Sequence, residues 1–308
     1  MDPNHVPDDE TLKKYVKAGR IAAQALSHGA RLVKEGAVIR DVLDDVEAFI
    51  VKKGALPAFP AQVSLNEVAA HFCPAEDDDD AFKATDLVKL DVGAHVDGYV
   101  GDNAVTVNLD RGNDEKERLL EASKAARDAA IALVKAGVTP HEIGRAIERE
   151  IVGRGFQPIR NLSGHGVGQY QVHTSPSIPN YGSNDLRPLQ TNHVVAIEPF
   201  ATTGQGMIKS GGTCTLFSLA AIRQPRSPQA REALTHLKQY NGLPFTTRWL
   251  SREIGIGKAR LALAQLKQAG MLHEYSPLPE EDGGLVSQSE HTVLVLDGKA
   301  RILTTDDD

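Results

Sequence analysis

The acids Asp91 and Asp102 stand on either side of Asp97-Gly98 in the segment Asp86-Leu-Val-Lys-Leu-Asp-Val-Gly-Ala-His-Val-Asp-Gly-Tyr-Val-Gly-Asp102. An Asp-Gly pair between two apolar runs reads as a hairpin turn, with residues 87–90 as a partly buried strand and the alternating run 99–109 as its partner. The two acids are therefore expected at matching ends of adjoining strands, and converging carboxylates need a cation. Two further acids follow the same logic, Glu198 after His193-Val-Val-Ala-Ile and Glu290 before His-Thr-Val-Leu-Val. Gathered in one place, four carboxylates repel, each contact near 4 Å costing about 4 kcal/mol at an effective dielectric of 20. One divalent ion leaves excess negative charge, whereas two balance four carboxylates and still permit a bound hydroxide. His165, in Asn161-Leu-Ser-Gly-His-Gly-Val-Gly, adds an imidazole in a segment too Gly-rich for a helix interior. Alone, a Gly-His-Gly tripeptide is weak; beside four acids it completes an oxygen-rich set with one nitrogen, suited to Mn, Fe, Co or Zn. The bland alternative pairs each acid with Lys or Arg on surface strands, but Val105, Val195, Ile197 and Val293 make these strands read as buried.

What could bring four distant acids together is a repeat. Val33-Lys-Glu-Gly is echoed by Val134-Lys-Ala-Gly, and Ile50-Val-Lys-Lys-Gly54 by Ile151-Val-Gly-Arg-Gly155, at one constant interval. Each copy opens with an amphipathic helix, the first with Leu12, Tyr15, Val16, Ala22, Leu26, Ala30 and Val33 at helical spacing, the second over 118–135. A second helix follows in each; Thr139-Pro-His-Glu142 reads as a capping box, and Gly54 and Gly155 sit where helix C-caps belong. The strand-borne acids continue the echo, Asp91 matching Glu198 and Asp102 matching Glu290. The second copy carries a long insertion between its acids, with helical patterns over 230–240, 246–254 and 257–269, a stop at Gly270, then an extended segment. Such a unit is expected to be small and winged-helix-like.

At 308 residues and 41% apolar content, the chain can bury one large core with an appendage. A net charge of -7 and a pI near 5.9 argue against coating nucleic acid or an anionic membrane. The two cysteines, Cys73 and Cys214, lack metal-ligand spacing, so neither a disulfide framework nor a zinc-thiolate site is expected, and a reducing cytoplasm is. The start, Met-Asp-Pro-Asn-His, is polar where a signal peptide would be basic then apolar, and no apolar run approaches a membrane span. The acidic runs 76–80 and 306–308 read as solvated.

The motif 86–102, Gly164-His165-Gly166, Ile197-Glu198-Pro199 and Gln288-Ser-Glu-His291 together resemble the methionine aminopeptidases, over almost the whole length of the chain. The insertion, with Leu243-Pro-Phe-Thr-Thr-Arg-Trp-Leu250, is similar to the type 2 branch, and the short segment ahead of the first helix is similar to archaeal members. The resemblance implies an α+β pita-bread (creatinase/aminopeptidase) fold, helices packed on a curved antiparallel sheet with pseudo-twofold symmetry. Residues 1–222 and 283–308 would form the catalytic domain and 223–282 the inserted subdomain. It implies two divalent metal ions, with Asp91 on one, Asp102 and Glu290 bridging, and His165 and Glu198 completing the other. A hydroxide between ions about 3.5 to 4 Å apart would be the nucleophile, and Glu198 the proton shuttle.

His71 and His173, near-equivalents under the repeat, match family positions, which implies that His173 donates to the developing oxyanion or contacts the scissile amide and that His71 lies near the amine or P1′ side; without the resemblance both read as hydrogen-bonded structural histidines. Phe59, Val172, His173 and Tyr275 match the apolar pocket for an uncharged thioether side chain. Cys73 reads as a small core residue, and His95, His193 and His291 as supporting rather than ligating. The expected activity is removal of initiator methionine from nascent chains with a small second residue. The expected enzyme is a cytoplasmic monomer, with N-terminal Met peptides as substrates, the ribosome as a candidate partner, and neither membrane nor specific nucleic acid bound. Two alternatives stay open: a prolidase-like Xaa-Pro peptidase, whose relatives carry a large domain ahead of the first repeat, and a non-catalytic RNA- or protein-binding relative, which would have lost ligands. None is lost here, and the insertion is only weakly basic.

Overall fold

A computed structural model describes residues 3–306, so Met1, Asp2, Asp307 and Asp308, on which the readings of the two ends partly rest, lie outside it. The first copy of the repeat folds as α1 (Asp9–Leu32), α2 (Ile39–Lys52), β1 (Leu56–Pro57), β2 (Gln62–Leu65), β3 (Leu87–Val96) and β4 (Tyr99–Asn108). Helix α1 starts where the Asp8 side chain accepts from the Thr11 amide, and its small face of Ala18, Gly19, Ala22 and Ala25 lies on β3 and β4. That approach is close: a Cβ on Gly101 would stand 2.5 Å from the Gly19 Cα. Strands β3 and β4 form the expected hairpin, Asp97 and Gly98 both at positive φ as a two-residue type I′ turn requires. The hairpin is longer than the sequence reading implied. Asp91 pairs with Ala104 and Asp102 with Gly93, so both acids are mid-strand rather than at strand ends, because pairing continues unbroken to Val96 and Tyr99.

The second copy repeats this order with α3 (Asp114–Leu133), α4 (Pro140–Val152), β5 (Gln157–Pro158), β6 (Ser163–Gly168), β7 (Gln171–Pro179), β8 (Val194–Ile197) and β9 (Phe200–Thr202). Thr139 and Glu142 close the capping box that opens α4, and Gly54 and Gly155 take the positive φ expected past α2 and α4. Next comes β10 (Leu216–Leu219), which leads into the insertion: α5 (Pro228–Leu237), β11 (Phe245–Thr246), α6 (Thr247–Ile254), α7 (Ile256–Gln268) and β12 (Leu272–Tyr275). Its three helices pack on Phe217, Leu234, Phe245 and Leu263, and β10 lies between β11 and β12, so this small sheet reaches back to Leu216. The chain closes with β13 (Val286–Gln288), β14 (His291–Leu294) and β15 (Arg301–Ile302), where β14 pairs with β8 as β4 pairs with β3.

Each copy has its own core, around Leu43, Val46, Leu90 and Val92 in the first and Leu119, Ile143, Ile147 and Ile197 in the second. The copies join along β4. Thr106 Oγ1 donates to the Gln288 carbonyl at 2.7 Å, the Glu290 amide donates to the Ala104 carbonyl at 3.0 Å, and the Asp102 amide donates to Thr292 Oγ1 at 2.8 Å. The acidic run 76–80 lies largely at the surface, as the solvated reading expects, with exposed pairs from Arg252 and Arg260 of the insertion to Glu76 and Asp77, and from Arg40 of α2 to Asp79. Among the described residues, no helix is long and apolar enough to cross a membrane.

Candidate metal centre

The β4 junction is where the acids converge. All five expected ligands line one cavity of about 220 Å³. Asp91 and Asp102 come from the β3–β4 hairpin, His165 from β6, Glu198 from the β8–β9 connection and Glu290 from the β13–β14 connection. Ligand atoms of Asp102, His165 and Glu290 lie within 4.8 Å of one another. His165 Nε2 stands 3.4 Å from Glu198 Oε1 and 3.9 Å from Asp102 Oδ2.

The electrostatics of the cluster are those of a site made for cations. Burial pushes the Asp91 carboxyl up to about 7. Burial, reinforced by the neighbouring carboxylates, drives Asp102, Glu198 and Glu290 well above the usual range. Burial also holds His165 neutral, and its Nδ1 donates to the Gly166 carbonyl at 3.2 Å, which leaves the Nε2 lone pair facing carboxylate oxygens. Acceptors thus face acceptors. Asp91 Oδ1, Asp102 Oδ1 and Glu290 Oε1 are buried and accept no hydrogen bond from the described protein. Buried oxygens left so are costly, and divalent cations satisfy them while cancelling the repulsion, so the donor set fits hard to borderline metal ions.

Above the carboxylates stands a row of rings. His173 packs on His165 with centroids 4.4 Å apart, and Tyr275 lies 5.6 Å from His71 and 6.4 Å from His173. Burial and the nearby His173 lower His71 to about 4, and the protein packed behind His173 lowers it too, so both rings are neutral. His71 takes a positive φ of 68°, a conformation that costs a non-glycine residue about 1 kcal/mol or more and tends to collect at functional sites. Phe59, Val172 and Tyr275 face the same cavity, with Tyr275 and Pro244 supplied by the insertion. Elsewhere, Cys73 is buried in the first core as expected. His95 accepts from the Gly98 amide in the hairpin turn and His291 bonds Thr304, both in supporting positions.

Gln288 and Gln62 are among the cavity residues that the sequence reading does not assign to the site. Gln288 Nε2 donates to Glu198 Oε2 at 3.2 Å, and Gln62 sits opposite Asp91 across β2 and β3. For Gln288 a signal existed: it precedes Glu290 by two positions, a spacing that in extended chain turns both side chains to one face. For Gln62 there was none, since nothing local ties residue 62 to residue 91.

The chain is similar to known proteins over most of its length. The model for metallopeptidase family M24 matches residues 13–223. A methionine aminopeptidase of Archaeoglobus fulgidus is 45% identical over 298 residues, covering 96% of this chain and 99% of that protein. Among solved structures, a methionine aminopeptidase from Thermotoga maritima superposes with a TM-score of 0.73 at 24% identity, covering 99% of this chain and 100% of that one. A prolidase from Pyrococcus furiosus gives 0.64 at 20% identity, and there the match covers 99% of this chain but 66% of the prolidase.

Proposed function

This chain belongs to metallopeptidase family M24, and from that premise we infer that it is a metal-dependent methionine aminopeptidase, hydrolysing the peptide bond that follows an N-terminal methionine. The observation that carries the reading is the burial of four carboxylates and one neutral imidazole at the base of a cavity walled by Phe59, Val172 and Tyr275. We assign two divalent ions to the site, held by Asp91, Asp102, His165, Glu198 and Glu290, with Co, Mn, Fe and Zn all compatible with the donors. Bound there, such ions supply Lewis acidity to the scissile carbonyl and to the attacking water.

The remaining chemistry falls to the chain's own side chains. Glu198, steadied by Gln288, takes the proton that the water loses and passes it to the leaving amine, so that bond cleavage and proton transfer balance. His173, neutral and open to the cavity, donates toward the oxygen that gains charge, and His71 lies near the amine or P1′ side of the substrate. Phe59, Val172 and Tyr275 hold the methionine side chain, whose polarisable sulfur favours aromatic contacts. Residues 1–222 and 283–308 form the catalytic domain, and 223–282 the insertion that closes one wall. The substrates we propose are nascent chains with a small second residue, met at the ribosome in the cytoplasm by a monomer; the free thiols of Cys73 and Cys214 agree with a reducing compartment.

Cleavage of Met-Ala-Ser against Xaa-Pro dipeptides, with added Co or Mn, tests the reading. Faster turnover of the tripeptide is expected, and a preference for the prolyl substrates would sink it.

A further inference from the structure

Arg248 and the acidic run 76–80 have no part in the chemistry above, and the structure links them indirectly through Asp44, which binds both Arg248 and Arg252, the latter also bound to Glu76. Arg248, on α6, is fully buried. Its guanidinium grips Glu47 of α2 through two bonds, Nη1 to Oε2 at 3.0 Å and Nη2 to Oε1 at 2.8 Å, and also reaches Asp44. Glu47 accepts twice more, from the Trp249 indole at 2.7 Å and from the Ala61 amide at 3.1 Å. Four donors satisfy a buried carboxylate.

The partners of this clamp border the cavity. Ala61 stands between Phe59 and Gln62, both on the cavity wall. Arg248 Nη2 lies 3.9 Å from Cys73 Sγ, and the Cys73 carbonyl accepts from Thr215 at 2.5 Å. Cys73 follows the cavity residue His71 by two positions, and Thr215 directly precedes the cavity residue Leu216. Outside the clamp lies an exposed shell, Arg252 with Asp44 and Glu76, and Arg260 with Asp77. Exposed pairs of this kind hold little, whereas losing one partner of a buried pair strands a charge.

We propose that Arg248 is a positioning residue for the substrate pocket: clamped on Glu47, it holds the 58–62 and 71–73 segments and the insertion in register, and so sets how closely Phe59, His71 and Tyr275 converge on the first side chain of the substrate. The inference rests on the methionine-binding reading of that cavity. Arg248 touches no substrate; its effect passes through Glu47 to the Ala61 amide and through the Cys73 thiol. Lysine cannot replace it, because a single ammonium does not reproduce a two-pronged bond to one carboxylate.

Trp249 is the one tryptophan of the chain, and its indole sits in the clamp, so its emission reports the clamp without turnover. The metal-loaded wild type, Arg248→Lys and Arg252→Ala are compared by tryptophan emission, by calorimetric binding of free L-methionine, and by KM and kcat for Met-Ala-Ser. For Arg248→Lys we expect a red-shifted emission and methionine affinity and KM each worsened about tenfold, the scale of one lost charged interaction, with kcat and metal content near wild type. Arg252→Ala strips only exposed pairs and is expected to leave all readings nearly unchanged. A red shift with unaltered methionine affinity and KM would overturn the proposal, as would equal losses from Arg252→Ala. Should Arg248→Lys not fold, the apolar pair Glu47→Leu with Arg248→Met takes its place, since such replacements are tolerated; weak methionine binding is again expected, and wild-type binding overturns the inference. A wild-type protein that neither binds methionine nor cleaves Met-Ala-Ser refutes the aminopeptidase reading itself.

Discussion

Asp102 is held by its backbone independently of its carboxylate, since its amide donates to Thr292 Oγ1 and its carbonyl accepts from the same hydroxyl. Asp102→Ala should therefore fold while losing a proposed metal ligand. The expected outcome is a marked fall in bound divalent ion and at least about a hundredfold slower cleavage of Met-Ala-Ser, read by elemental analysis and the peptide assay; full metal content with full activity would exclude the site. His71 carries a pH dependence of its own. Its folded value of about 4 lies below the usual 6.5, so between those values a proton favours the unfolded chain. Stability from the neutral ring is present above pH 6.5 and is lost as pH falls toward 4, at up to about 1.4 kcal/mol per pH unit. His71→Gln should flatten that slope in denaturant titrations across the interval, and an unchanged slope would mean that the ring is solvated.

Elements set these side chains in place through their ends and their bare spots. Helix α4 depends on its capping box, so Thr139→Ala should cost about 1 kcal/mol and lower the melting temperature by a few degrees, with KM and kcat unaffected. Strand β3 has a bare spot at Gly93, where a Cβ would stand 2.3 Å from Phe59 Cε1. Gly93→Ala must displace that ring from the pocket wall, and KM for Met-Ala-Ser is expected to rise several-fold with metal content retained. An unchanged KM would remove Phe59 from the substrate pocket. The insertion contributes at this scale as well, because β12 ends on Tyr275 and thereby carries an aromatic ring to a cavity built mostly by the repeat.

The whole molecule is two similar halves closed on one cluster of charge, with Asp91 and Asp102 from the first and His165, Glu198 and Glu290 from the second. Metal binding is thus expected to stabilise both halves together. A chelator-treated sample should unfold in one transition, and restoring Mn to about a hundred times its dissociation constant should add about 2.7 kcal/mol, seen calorimetrically as a rise of several degrees. Two transitions of which only one responds would show that the halves are not coupled through the site. The sequence by itself determined the amphipathic helices, the Asp-Gly hairpin, the capping box and the five side chains proposed as metal ligands, because hydrophobic period, turn chemistry and short motifs are local properties of a chain; the part proposed for each ligand came with the family resemblance. Only the tertiary structure decided that Asp91 and Asp102 lie mid-strand, that Gln288 steadies Glu198, that arginines hold the acidic run, and that Arg248 closes on Glu47. Those contacts join residues far apart in the chain, Arg248 and Glu47 by 201 positions. Period and propensity describe which face of an element is apolar, but not which distant carboxylate will meet a buried guanidinium once the halves have closed.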